Sequence, residues 1–196
     1  REEVNAEIAA LPPGRFIAFV DDNLFASGNK LEALLEVLIP LKRRWGCQIS
    51  IDVARDDALL DRLARAGCGF VLIGFESLNP HNLKQMGKQW NHAAGDYQRV
   101  IRALHARGIC VYGTFIFGYD GDTPETIRQC LAFACENRLE MANFNLLIPT
   151  PGSALYDRLR AEGRLLSPEW WIDPDYRYGD PIFIQQGMSP EQLTAL

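Results

Sequence analysis

The 196 residues carry a net charge of -5, with 47% hydrophobic and 23% charged residues, the composition of an ordinary globular domain large enough to bury a core. No apolar run is long enough to cross a bilayer and no secretory leader is recognisable, so the expectation is a cytoplasmic protein with no membrane partner. The acidic balance disfavours a general binder of nucleic-acid phosphates, and five scattered cysteines, an odd number, argue against a disulfide framework.

Residues 1–11 place Val4, Ile8 and Leu11 on one helical stripe, which Pro12, Pro13 and Gly14 end. "FIAFV" (16–20) follows as a buried strand that runs into two carboxylates, Asp21 and Asp22. Leu31, Leu34, Leu35, Leu38, Leu41 and Trp45 recur at helical spacing, which predicts a helix reaching Trp45, kinked at Pro40 and closed by Gly46. Next come a strand over 47–53, a short helix closed by Gly67, and the strand "FVLIGFE" over 70–76. A polar loop leads to a helix bearing Tyr97, Val100, Ile101 and Leu104 on one face, then to a strand over 109–118. Thr123 and Pro124 open a further helix with Ile127, Leu131 and Ala134 as its stripe; a strand begins near 141, and a helix over 153–162 ends at Gly163. Residues 164–196, rich in proline and carrying Trp170 and Trp171, read as an irregular arm packed on the body formed by 1–163.

Strand and helix alternating five times define an α/β class with a parallel sheet and covering helices. No GxGxxG follows the first strand, so a full or partial (β/α) barrel is preferred to a dinucleotide-binding sheet. Ligands meet such sheets at the carboxyl ends of the strands, where loops and helix N-termini gather. There the chain supplies Asp21, Asp22 and Asn23, then Asp52 to Arg55, then Glu76 and Ser77, then "GTFIFGYDGDT", then Pro149 to Gly152.

Each of these has a plain structural reading as well: Asp22 and Asn23 as turn residues, Asp122 and Thr123 as helix caps, Glu76 as a partner for Arg55, Pro151-Gly152 as a turn. Five strands delivering polar residues to one rim is what argues for a site. Glu76 stands out, since a carboxylate directly after a buried strand binds a hydroxyl, an amine or an arginine. The two acids in "GYDGDT" argue against a phosphate and for a neutral or zwitterionic ligand. His81, His92 and His105 lack ligand spacing and read as surface, and Cys130 with Cys135 read as small core residues. No nucleophile with an adjacent base, and so no catalytic residue, can be assigned from the sequence.

In series, "FVDDNLF", "ARDDALLDRLARAGCGFVLIGFESLN" with "LKQMGKQ", "GTFIFGYDGDTPETI" and "LLIPTPGSALYDRL" resemble the radical S-adenosylmethionine superfamily, in particular its branch associated with cobalamin-binding domains. The resemblance implies the last five strand-helix units of a (β/α)6 partial barrel. It also implies S-adenosylmethionine bound to a [4Fe-4S] cluster and cleaved to a 5′-deoxyadenosyl radical, or a methyl group passed through cobalamin. By position Asp21 and Asp22 match the segment at the methionine amino end, and Glu76 and Ser77 the segment near ribose and methionine. Phe115, Ile116 and Gly118 match the segment that packs on adenine, Pro149 the strand end beside it, and Arg55 a rim position that meets a carboxylate or the substrate.

The family's CxxxCxxC loop is absent, so no metal ligand is assigned in this chain. The first helix resembles the one that follows that loop. The expectation is therefore a fragment of a longer enzyme, inactive alone, whose cluster loop and cobalamin-binding domain lie upstream, with an electron donor and a small-molecule substrate as partners. Two rivals remain open at this point: a cluster-free binding or scaffold module, and a conventional barrel lyase or aldolase using Glu76 and Asp22 as acid and base.

Overall fold

A computed structural model describes residues 2–25, 28–88 and 97–195. In chain order the elements are α1 (Glu2–Ala10), β1 (Ile17–Ala18), α2 (Gly28–Leu41), β2 (Trp45–Ile49), a 3-10 turn (Val53–Arg55), α3 (Asp57–Arg65), β3 (Cys68–Glu76) and α4 (Pro80–Gln85). They continue with α5 (Tyr97–His105), β4 (Cys110–Phe117), α6 (Pro124–Glu136), β5 (Met141–Leu146), α7 (Ala154–Ala161), a 3-10 turn (Trp170–Ile172) and α8 (Pro190–Thr194). Strand order in the sheet is β1-β2-β3-β4-β5, so spatial order follows sequence order with a helix between successive strands. β1 pairs parallel to β2, and β2 parallel to β3, with Cys47 opposite Val71 and Ile49 opposite Ile73. Sequential order with helical crossovers is the topology that right-handed β-α-β connections build when they wind in one direction.

The chain divides into two compact units. The first comprises Arg1–Phe75, Ala93–Thr114 and Ala134–Asn143. Its core is built from α2 (Leu31, Leu35, Leu38), α3 (Leu60, Leu63), α5 (Val100, Ile101, Leu104) and the strand residues Trp45, Cys47, Ile49, Val71, Ile73 and Val111, all buried. Each large aliphatic side chain buried in this way contributes about 1.5–3 kcal/mol relative to exposure. The opposite face of β1 to β3 carries Phe16, Ala18, Val20, Gly46, Gln48, Phe70 and Leu72, which line an open cavity of about 220 Å³. Gly46 is required there, because a Cβ would stand 2.7 Å from the Phe70 carbonyl oxygen.

Two boundaries differ from the periodicity. α2 stops at Leu41, just after Pro40, and Lys42 takes a left-handed φ of 49°, so Trp45 and Gly46 enter β2 rather than finishing the helix. The apolar stripe continues to Trp45 because that residue belongs to the same core, reached by a strand. β2 also ends early, at Ile49: Ser50 accepts a hydrogen bond from Asn23 Nδ2 at 3.2 Å, and the chain turns into the 3-10 segment instead of continuing to Val53. β1 is half-buried rather than buried, with Ile17 inside while Phe16 and Val20 are exposed.

The second unit comprises Glu76–His92, Phe115–Phe133 and Phe144–Leu196. Phe144 stacks between Phe115 and Phe117, with centroids at 5.3 and 5.8 Å, and the buried Leu83, Cys130, Tyr156, Leu159, Ile182, Phe183 and Met188 complete its core. Segment 164–166 pairs antiparallel with 182–184: Leu166 N–H donates to Ile182 O, and Ile184 N–H to Arg164 O, both at 2.8 Å. Among the described residues no helix is long and apolar enough to cross a membrane.

Candidate functional site

β3 ends on Glu76, a non-glycine residue at φ 65°, in a backbone region that costs about 1–3 kcal/mol and persists where the surroundings impose it. Its carboxylate is buried and receives the Lys88 ammonium at 2.5 Å. Ser77 is buried as well, and its hydroxyl accepts from Asn79 N–H at 3.0 Å, which bends the chain into α4. Asn79 caps that helix. Lys88 therefore comes back to Glu76 across one short helix, and a buried carboxylate with an ammonium 40% exposed stands at the strand end.

The loop after β4 is organised by Asp122, 1% exposed. One carboxylate oxygen accepts from Gly118 and Tyr119 N–H at 2.8 and 3.0 Å; the other accepts from Asn82 Nδ2 at 2.5 Å. Thr123 and Thr126 exchange side chain to backbone hydrogen bonds at the start of α6, so Thr123 is the helix cap, as its plain reading has it. Tyr119 is half-buried, and its phenol is held above the ordinary range by burial first, then by the Glu76 and Asp122 carboxylates, against the pull of Arg158.

Burial also pushes the Asp122 carboxyl above its ordinary range, opposed by its hydrogen bonds from Gly118, Tyr119, Asn82 and Thr126. A raised folded value means the folded chain binds the proton more tightly than the unfolded one. That contribution to stability is present below the ordinary aspartate range and is lost as pH rises through the raised value. The unfolding free energy of the wild type minus that of Asp122→Asn is expected to fall across this window, read from urea midpoints at successive pH. A difference that rises with pH instead would show that the hydrogen bonds outweigh burial.

In the first unit Asp21 and Asp22 are both exposed, after β1. Asp21 lines the cavity over β1 to β3 and a second, apolar one of about 300 Å³ formed with Val4, Phe19, Leu24, Leu34 and Val37. Asp22 lies in a turn that Asn23 stabilises by accepting from Phe25 N–H at 3.3 Å. Arg55 is exposed at the end of the 3-10 turn.

In the second unit Phe115 is fully buried against Phe133 and Phe144. Ile116 alternates to the other face and is half-buried, Gly118 is buried in the Asp122 clasp, and Pro149 is buried ahead of the exposed turn at Pro151-Gly152. Glu76 pairs with Lys88. His81 is exposed, His105 is half-buried 3.3 Å from Glu140, and His92 lies outside the described residues.

Lys88, Tyr119, Asn82 and Gln185 carry no assigned role in the sequence. Lys88 belongs to "LKQMGKQ", and the signal for it is its place one short helix beyond Glu76. Asn82 and Gln185 carried no signal, since their burial follows from tertiary packing.

Three of the five cysteines do not fit an iron-sulfur cluster. Burial pushes the Cys47 thiol up, that of Cys68 up to about 12 and that of Cys130 up to about 11, away from the thiolate a cluster needs. Among the described residues no three His, Cys, Asp or Glu side chains converge as metal ligands.

A parallel sheet in sequential order with covering helices defines a barrel-type α/β domain. The profile of the Radical SAM superfamily matches residues 2–134, and the chain belongs to that family. It is 35% identical over 161 residues to the bacteriochlorophyllide d C-12(1)-methyltransferase of Chlorobaculum tepidum, covering 82% of this chain and 35% of that protein. It is 31% identical over 156 residues to the hopanoid C-2 methylase of Rhodopseudomonas palustris, covering 76% and 29%. Among solved structures, the radical S-adenosylmethionine methyltransferase TsrM from Kitasatospora setae, with cobalamin and a [4Fe-4S] cluster bound, superposes with a TM-score of 0.63 at 20% identity over 98% of this chain and 38% of that one.

The fold is thus the α/β partial barrel of that family, and these residues are part of a radical SAM catalytic domain. The family uses S-adenosylmethionine and a [4Fe-4S] cluster, and the relatives named are enzymes. The chain spans about a third of the length of these relatives.

Proposed function

We propose that this chain is the S-adenosylmethionine-holding part of a methyl-transferring radical SAM enzyme acting on a small-molecule substrate. Supporting methyl transfer are the relatives named as a bacteriochlorophyllide d C-12(1)-methyltransferase and a hopanoid C-2 methylase. In this reading residues 1–163 are the barrel core and 164–196 an arm upon it. The cluster is held by cysteines outside these residues, cobalamin belongs to a separate domain, an external donor supplies the electron, and the enzyme works in the cytoplasm.

The observation that carries the proposal is the Glu76-Lys88 pair at the end of β3, 2.5 Å apart on a backbone held at φ 65°. A carboxylate and an ammonium side by side complement both hydroxyls and a zwitterionic amino-acid end, and the pair is already desolvated on the Glu76 side. In the second unit Ser77, Ile116, Gly118 and the turn after Pro149 supply further contacts for the nucleoside; in the first, Asp21 and Asp22 attract a cationic amine, and Arg55 meets a carboxylate or the substrate. Bound S-adenosylmethionine supplies the transferable methyl group or the radical; the residues of this chain orient it.

The test is a calorimetric titration of S-adenosylmethionine into the full polypeptide containing this sequence, reconstituted with iron and sulfide. Glu76→Gln and Lys88→Met are each expected to weaken binding by about tenfold, the loss of a charge-assisted hydrogen bond. Wild-type affinity in both variants would remove Glu76 and Lys88 from the site.

A further inference from the structure

We infer that the segment 184–187, together with Arg164, is a strap that sets the conformation of the loop 118–122, making Gln185 and Arg164 positioning residues for the nucleoside side of the cofactor site. The cofactor half of this inference rests on the reading above; the strap itself rests on contacts within the second unit.

Gln185 is buried, unusually for a glutamine in an irregular segment, and its amide nitrogen is fully used on the loop. It donates to Tyr119 O at 2.6 Å and to Asp122 O at 3.1 Å, so one side chain bridges the two ends of the turn that Asp122 closes from inside. Arg164 places its guanidinium on Asp120 with Nη2 to Oδ1 at 2.5 Å and Nη1 to Oδ2 at 3.4 Å, a two-pronged grip. Its Nε donates to Ile184 O at 2.8 Å, which ties the same arginine to the strap. Gln186 N–H adds a bond to Asp120 Oδ1 at 3.3 Å. Gly187 passes so close that a Cβ would stand 2.5 Å from Asp122 O, an approach open to glycine alone.

The loop is therefore held twice. From within, Asp122 gathers the N–H groups of Gly118 and Tyr119, and Asn79 Nδ2 donates to Gly121 O at 3.0 Å. From without, the strap takes the carbonyls of Tyr119 and Asp122 and the carboxylate of Asp120. With N–H groups bound on one side and carbonyls on the other, the peptide planes from 118 to 122 have one orientation. That orientation determines where the backbone of Gly118 and the Tyr119 side chain stand relative to Glu76, toward whose carboxylate the phenol is electrostatically coupled.

Two measurements on the full polypeptide test this: amide hydrogen exchange at Gly118, Tyr119 and Asp122, and binding of S-adenosylhomocysteine and of free methionine. Gln185→Ala, Arg164→Lys and Gly187→Ala are expected to lower protection of those amides about tenfold and leave β3 amides protected. They are also expected to weaken S-adenosylhomocysteine about tenfold while methionine binding stays at the wild-type level. Glu76→Gln is expected to weaken binding with loop protection unchanged, which separates the two readings. Wild-type protection in all three strap variants overturns the strap, and lost protection with wild-type S-adenosylhomocysteine affinity overturns the positioning role. If the wild type binds neither ligand, the proposed cofactor site and the positioning role both fall, while exchange still decides the strap.

Discussion

Trp45→Ala is expected to destabilise the chain by about 3–5 kcal/mol, the range for deleting a large aromatic side chain from a packed core. Trp45 is fully buried at the first position of β2, and its indole N–H donates to Ala66 O at 2.8 Å. Its ring also meets Phe19 edge to face at 5.6 Å, so the cavity left by alanine would open onto β1 and the turn before β3 together. The orphaned Ala66 carbonyl adds to the cost. Trp45→Phe keeps most of the volume and loses the hydrogen bond, so it separates packing from polarity at about 1–2 kcal/mol. Equilibrium urea unfolding followed by circular dichroism reads both, and a Trp45→Ala midpoint equal to wild type would show that the site collapses onto its neighbours.

Asp122→Ala is expected to cost about 3 kcal/mol or more, because several buried donors lose their acceptor at once. Gly118 N–H, Tyr119 N–H and Asn82 Nδ2 all converge on that carboxylate, and Asn82 is itself fully buried. Asp122→Asn is a milder change: its carbonyl oxygen serves the two backbone donors, and Asn82, whose Oδ1 has no partner, can reverse its amide to accept from the new NH2. The ordering wild type, Asn, Ala in urea midpoint is the expected result. Equal losses in the two variants would mean that the charge, and not the hydrogen-bond count, holds the loop.

How much of this was legible beforehand varies with the range of the interactions involved. The strand over 70–76 announced itself through an apolar run, and the structure extends it only to Cys68. The helix starting at Pro124 and the one ending before Gly163 carried their own cap residues, Thr123 and Ser153, which bond within one turn. Such signals are local, so the chain spells them out. Trp45 departs from the periodicity for the converse reason. Its apolar spacing fitted a helix, yet its position is decided by pairing with Cys68 on another strand.

The same division runs through the candidate site. Glu76 and Ser77 could be singled out because a buried strand ends on them, and Asp21, Asp22, Arg55 and Pro149 because rim positions follow from strand-helix alternation. Phe115, in the segment matched to the adenine side, has its side chain in the core, since alternation along β4 turns it away from the face that holds Ile116.

From the sequence alone came the class of fold, the order of its elements, the family resemblance and the want of a cluster loop, because periodicity, caps and motifs are written in neighbouring residues. Only the tertiary structure decided that Lys88 meets Glu76, that Asp122 is a buried clasp and that Gln185, 63 residues further along, closes it from outside. Hydrogen bonds at that separation depend on how the chain packs, and no local pattern records them.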